Sequence, residues 1–199
     1  VRLYSQDDVE QAAEVFETAL KLTLAKGVDN AWTQPLRSWL ASALRRQAEL
    51  TSPWGPGHRN RLRRRGAKVA AKAVAVARTF PIELPHALRE RGLIAAMLGS
   101  IHFARRCLDE SLAVAEQQGA RFEHAQSLLA RGRVGLEVGW PEAQQDLSQA
   151  REALTSLGAT WALDNKPALQ VEPAKTATLS LVDRFDTVLD AGRRIASAL

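Results

Sequence analysis

Four histidines, one cysteine and a dense run of arginines and lysines are the residues of this chain whose chemistry could be put to work. His58, His86, His102 and His124 do not recur at metal-ligand spacing. There is no His-x-x-x-His pair and no His-Glu-x-x-His helix, so a zinc site is not expected. Cys107 is the one cysteine of the chain, which excludes an internal disulfide and a multi-cysteine metal site. It falls mid-helix on a buried pattern, and no residue offers itself as its base. Neither a Gly-x-x-x-x-Gly-Lys-Ser/Thr phosphate loop nor a Gly-x-Ser-x-Gly elbow occurs. Gly132-x-x-Gly135 lies inside a helical pattern and reads as room for a close helix contact. Asp183, Asp186 and Asp190 share one side of a predicted helix; without a loop of further oxygen ligands they read as a solvated flank. The expectation is therefore a segment with no catalytic residue, no cofactor and no metal.

The basic run is more distinctive. Arg59, Arg61, Arg63, Arg64, Arg65, Lys68, Lys72 and Arg78 include no acidic neighbour between them. The formal net charge is +5, so without these eight residues the remainder carries −3. The basicity is thus a patch, with Arg61, Arg65, Lys68 and Lys72 aligned on one side of a helix. The plainest reading is a solvated face whose long stems cover neighbouring helices. Next come an acidic protein partner or neighbouring domain, then the phosphate backbone of a nucleic acid. No interleaved aromatics or recognition-helix motif accompany the stripe. Trp32, Trp39, Trp140 and Trp161 fall at element positions that packing explains. Trp54 sits in a Pro/Gly loop and, if exposed rather than tucked in, would anchor a contact. The candidate interaction surface is accordingly Arg61, Arg64, Arg65, Lys68 and Lys72, with Trp54.

These residues must be positioned by helices. Alanine is abundant and β-branched and aromatic residues are sparse, which favours closely packed helices over sheet. Apolar spacing predicts a first helix over 7–26, with Val9, Ala12, Ala13, Phe16, Leu20 and Leu24 inward, capped by Ser5 or Asp7 and stopped at Gly27. A second runs from an Asn30 cap to Leu50, with Pro35 in its first turn or marking a late start. Thr51 to Gly57 reads as irregular because of its prolines and glycines. The third, basic helix covers 59–79. Further helices are predicted over 85–98, 100–118, 121–138 and 141–157, joined by very short turns that force antiparallel neighbours. From 159 to 178 the pattern fails, giving an extended connector. A last helix over 179–199 carries Val182, Phe185, Leu189, Gly192, Ala196 and Leu199 at alternating spacings of three and four, a heptad seam suited to helix pairing.

One pattern occurs twice, about forty residues apart. The first copy is Arg91-Gly92, Leu98-Gly99, Ala104, Leu108, Leu112, Ala115 and Gly119-Ala120. The second is Arg131-Gly132, Val138-Gly139, Ala143, Leu147, Ala150, Leu154 and Gly158-Ala159. A helix ending at Gly, followed by a second helix carrying Ala/Leu/Ala, resembles tetratricopeptide repeats. The variant is similar to the degenerate repeats of large bacterial signalling proteins, in which a kinase-like module and a nucleotide-binding switch ATPase of the STAND class precede a helical array. Arg78-Thr-Phe-Pro81, Ala87 to Gly92 with Leu98-Gly99, and Gly139-Trp-Pro-Glu-Ala143 carry that resemblance. The run from Leu181 to Ala196 is similar to the helix that leads into a GAF sensor domain, often followed there by a histidine kinase.

The expected architecture is all-α: antiparallel helical hairpins stacked as a TPR-like α-solenoid over 1–158, clearest over 85–158. A connector over 159–178 and a signalling-type linker helix over 179–199 follow. The chain begins at Val1 and its one methionine is Met97, as expected of a segment of a longer protein. No signal peptide or membrane span is visible, so the cytoplasm is the expected compartment. The resemblance implies a non-catalytic scaffold for a protein partner or for neighbouring domains, within a signal-transduction protein whose whole chain is a kinase or ATPase. The alternatives are a nucleic-acid-binding domain using the basic helix over 59–72 and a small-molecule sensor enclosing an apolar pocket.

Overall fold

The computed structural model describes residues 8–28, 30, 32–50 and 55–164. Among them are eight α-helices and no strand: α1 (Val9–Ala25), α2 (Pro35–Leu50), α3 (Gly55–Ala77), α4 (Leu84–Met97), α5 (Ile101–Gln117), α6 (Arg121–Val138), α7 (Ala143–Ser156) and the short α8 (Trp161–Asp164). A 3-10 turn at Pro81–Glu83 leads into α4. Trp54, most of the connector and the whole heptad seam of Val182, Phe185, Leu189 and Ala196 lie outside the described residues.

Local chemistry sets the helix ends. Asp8, one residue beyond the expected cap, accepts the Gln11 amide at 3.3 Å and starts α1. Asn30 accepts the amides of Trp32 and Thr33 through its side chain, forming a turn, and α2 begins at Pro35, whose missing N–H costs nothing in a first turn. Two expectations need correction here. Gly55-Pro56-Gly57 is already helical, because Pro56 fits the first turn of α3 as Pro35 does that of α2. Within the stretch read as a connector, Trp161–Asp164 forms α8. The turn before α8 repeats the one before α6. Gly119 and Gly158 take φ of +63° and +67°, and the next residue's amide reaches back five residues, Ala120 to Ala115 and Ala159 to Leu154.

Consecutive helices pack against each other from α1 through α7, while α2 also packs on α4 and α4 on α6. The first helices of the pairs α2–α3, α4–α5 and α6–α7 therefore share a continuous layer. The core runs along it: Phe16, Leu40 and Leu44 meet Leu93, Met97, Leu108 and Val134, and a second cluster joins Leu112, Leu128, Leu129 and Leu154.

The glycines of the two sequence copies make like contacts. A Cβ on Gly92 would lie 2.8 Å from Leu108 Cγ and 3.1 Å from the Ala104 carbonyl. A Cβ on Gly132 would lie 2.8 Å from Leu147 Cγ and 2.9 Å from the Ala143 carbonyl. Gly135, as its spacing suggests, allows a further close contact, with Ala143 Cβ 2.8 Å from where its own Cβ would be. Gly92→Ala and Gly132→Ala should therefore each lose about 1–3 kcal/mol through overpacking against backbone. Gly66→Ala should lose less: the one tight contact of its methyl is the tip of Ile94 at 3.2 Å, and helix propensity returns roughly 1 kcal/mol. Urea unfolding of the three variants is the check, and equal tolerance at all three sites would refute the close-approach argument.

Candidate functional site

The layer of α2, α4 and α6 exposes a groove that ends at α8. Ser42, Arg45 and Arg46 line it from α2, His86, Arg89 and Glu90 from α4, and Phe122, Glu123 and Arg133 from α6, with Trp161 at its end. It encloses a cavity of about 140 Å³.

Its charged groups are paired both within α2 and across helices. Arg45 donates through Nε and Nη2 to the two oxygens of Glu90, at 2.7 and 3.2 Å, and through Nη1 to Glu49 at 2.5 Å. Arg46 reaches the other oxygen of Glu49 at 3.5 Å. Arg89 donates to the Glu123 carboxylate at 2.6 Å, joining α4 to α6. Arg133 donates to the Leu163 carbonyl at 3.0 Å, tying α8 to the end of the groove. Beneath these, Ser111 donates to the Pro85 carbonyl at 2.6 Å and meets Ser127 at 2.8 Å, linking α5, α4 and α6.

Burial alone would raise the carboxyl groups of Glu90 and Glu123. The guanidinium of Arg45 beside Glu90, and that of Arg89 beside Glu123, override it and hold both below their ordinary value of 4.5. Burial, then the cation of Arg45 against the counter-charge of Glu49, and then Arg46, push Arg133 below the usual arginine value. Cys107 is buried, and burial raises its thiol, the opposite of what a nucleophile needs.

One arrangement resembles catalytic machinery. Ser42 Oγ lies 3.0 Å from His86 Nε2, and His86 Nδ1 lies 3.7 Å from a Glu83 oxygen. Its details fit helix packing instead. Ser42 is 2% exposed and also donates to the Ser38 carbonyl at 3.1 Å. Both bonds form together only with Nε2–H as donor to the serine, which leaves no lone pair there to take a proton. Ser42 sits mid-helix, where backbone amides are spent on the helix and none is free for an oxyanion. The edge of His86 rests on Trp39 with ring centroids 4.9 Å apart.

Arg61, Arg64, Arg65, Lys68 and Lys72 are all exposed along α3, and Arg65 is paired with Glu17 of α1. Arg63 departs from the predicted patch: it is buried, on the side of α3 that faces the core, and Arg59 is half-buried. Trp39 and Trp140 are partly buried against the core, as packing explains. Trp32 and Trp161 are not: they are 90% and 64% exposed. Each stands at the mouth of a helix, where apolar spacing does not specify which way a ring points. The groove itself escaped sequence reasoning because Arg45 and Glu90 are forty-five residues apart and on different helices. The one available signal was the presence of charged residues in predicted inward-facing stretches.

Among the described residues no group of three or more His, Cys, Asp or Glu is placed to hold a metal, and no helix is long and apolar enough to cross a membrane. Comparison with protein families, curated proteins and solved structures finds no match.

The two depressed carboxyl groups give the domain an acid limb. Their folded pKa values lie below the unfolded ones, so they contribute stability that is complete above about pH 5 and is lost as pH falls through the folded values. Glu90→Gln should destabilise the domain by about 3–5 kcal/mol at pH 7, since it leaves Arg45 buried with one of its two carboxylates removed. It should also flatten the loss of stability below pH 4.5. Thermal melts of both proteins from pH 3 to 8 test this, and parallel profiles would contradict it.

Proposed function

We propose that this domain is a non-catalytic scaffold that holds a segment of a partner protein, or of a neighbouring domain, in the groove formed by α2, α4 and α6. In this reading the pairs α2–α3, α4–α5 and α6–α7 stack as a TPR-like solenoid, and the groove is its inner surface. The sequence resemblance supports placing it in a multidomain signal-transduction protein whose parent chain is an ATP-binding serine/threonine or histidine kinase. One observation carries the proposal. Three successive first helices meet at a single groove that combines buried guanidinium groups with an aromatic ring 64% exposed at its end. An exposed aromatic ring beside arginine side chains on a concave, partly desolvated surface is the composition of an interaction hot spot.

A second reading is favoured by the exposed face of α3. Arg61, Arg64, Lys68 and Lys72 form a straight row, spanning about 16 Å at 1.5 Å per residue, that a polyanion would fit.

The two readings predict different maps. Panning a random dodecapeptide library against the domain should enrich binders, and an enriched peptide should slow amide exchange in α2, α4 and α6. Failure to enrich any peptide would sink the scaffold reading. Protection confined to α3, or salt-sensitive binding of duplex DNA abolished by changing Arg61, Arg64, Lys68 and Lys72 to glutamine, would favour the polyanion reading.

A further inference from the structure

We infer that this chain pairs with a second copy of itself through α1 and α3, the acidic strip of α1 in each copy lying on the basic row of α3 in the other. The inference concerns a face of α1 and α3 and does not depend on what the groove of α2, α4 and α6 holds.

Charge complementarity is the first ground. Glu10, Glu14 and Glu17 line a cleft between α1 and α3, and Glu10 and Glu14 are exposed. Arg61, Arg64 and Lys68 are exposed along the next furrow of α3. Arg65 borders both, and its pair with Glu17 joins the two strips. A nucleic acid would be attracted by the basic row and repelled by the carboxylates beside it. A second copy brings the opposite charge to both strips at once.

Spacing is the second ground. The starts of α1 and α3 lie together, since Val9 and His58 line the cleft with Gln47 and Leu50 from the end of α2. The two helices therefore run parallel, and the Glu17–Arg65 pair sets their levels. From Glu10 the acidic strip steps by four residues and then three, to Glu14 and Glu17. Read backwards, the basic row also steps by four and then three, from Lys68 to Arg64 and Arg61. A two-fold axis across the helices reverses one copy relative to the other. With the axis level with residue 63, Glu10 meets Lys68, Glu14 meets Arg64 and Glu17 meets Arg61 of the second copy. Such an isologous contact closes at two copies and does not grow into a fibre.

The cleft supplies the third ground. Val9, Ala13 and Leu62 form its floor and Leu50 is exposed at its end. Its volume of about 350 Å³ would face its own image beside the axis, giving an apolar centre within a charged rim. Size then sets the strength. Two helices about 25 Å long and about 10 Å apart offer roughly 500 Å² per copy, below the ~800 Å² of a standard interface. The dimer is accordingly a weak one, held largely by charge.

Sedimentation equilibrium of the whole chain is the test. At low salt the protein should pass from monomer to dimer with a dissociation constant between about 1 μM and about 1 mM. Raising the ionic strength from about 0.01 to about 1 M shortens the screening length from roughly 30 to roughly 3 Å and should weaken the dimer about tenfold or more. Amide exchange should slow with protein concentration in α1 and α3, and not in α5 or α7. Glu10→Arg/Glu14→Arg sets base on base and Arg64→Glu/Lys68→Glu sets acid on acid, so each variant alone should be monomeric. Their equimolar mixture should dimerise as the wild type does, because every contact in it again pairs opposite charges. All four positions are exposed, and if either variant unfolds, the salt and exchange measurements on the wild type decide. A wild type still monomeric at about 1 mM and low salt would overturn the inference. So would a salt-insensitive dimer, protection outside α1 and α3, variants that dimerise alone as the wild type does, or folded variants that fail to combine. None of these outcomes bears on the groove, whose reading the peptide library tests.

Discussion

Two helices can run at backbone distance only where one of them carries no side chain at the crossing. At Gly92 the chain of α4 approaches the Ala104 carbonyl and Leu108 of α5 this closely, and at Gly132 α6 does the same to Ala143 and Leu147 of α7. Much else depends on these two crossings. They fix the rotation of each first helix about its axis, and at about 100° per residue a position two residues before the glycine points almost the opposite way. Glu90 stands there on α4, which turns it into the groove. A larger residue at the crossing would do more than loosen one hairpin. It would rotate the helix and misdirect the groups that form the groove.

Those groups are expensive to hold. Glu90 is 3% exposed and Arg45 is nearly as enclosed, and removing such ions from water costs several kcal/mol each unless geometry returns it. Here the return comes from bonds that only the assembled layer can supply. Arg45 needs Glu90 from another helix, and Arg89 needs Glu123 from a third. Apolar residues of similar volume could fill the space at equal or better stability. The ionic lining thus adds little to the fold as such. It makes the register of α2, α4 and α6 depend on one another, and it keeps charge poised at a concave surface.

The helices were readable from the sequence because their ends are local events. Glycines at the positive φ of Gly119 and Gly158, an asparagine ahead of α2 and first-turn prolines each act within a few residues of themselves. Gly55-Pro56-Gly57 misled because it has the composition of a turn, although a proline is equally at home in the first turn of a helix. The repeat glycines were legible as spacing, and their cause became visible only in the contact with Leu108 and Leu147. The groove was largely illegible. Its ion pairs between helices join residues 34 to 45 positions apart, Arg89 with Glu123 and Arg45 with Glu90, and no periodicity links them. The basic run of α3 stood out on a list of residues because it is contiguous. Yet Arg63 within it turns inward, so contiguity overstated that surface while distance concealed the other.

The two copies of the sequence pattern agree where helices touch and differ where the groove opens. Stepping forty residues from α4 to α6 carries Gly92 to Gly132 and Leu88 to Leu128, and the packing role is kept. The same step carries His86 to Gln126, Arg89 to Leu129 and Glu90 to Ala130, and the chemistry is not kept. Between α5 and α7, Cys107 stands where Asp146 does relative to the matched pairs Ala104/Ala143 and Leu108/Leu147. Asp146 takes two bonds from Arg131, at 2.7 and 2.8 Å, whereas the matching Arg91 lies over the Phe103 ring at 4.9 Å. Matching positions build the scaffold. Mismatched positions give the groove its polarity, with paired carboxylates toward α4 and aromatic rings toward α8. The groove is thus differentiated along its length, and the packing positions on either side of it are not.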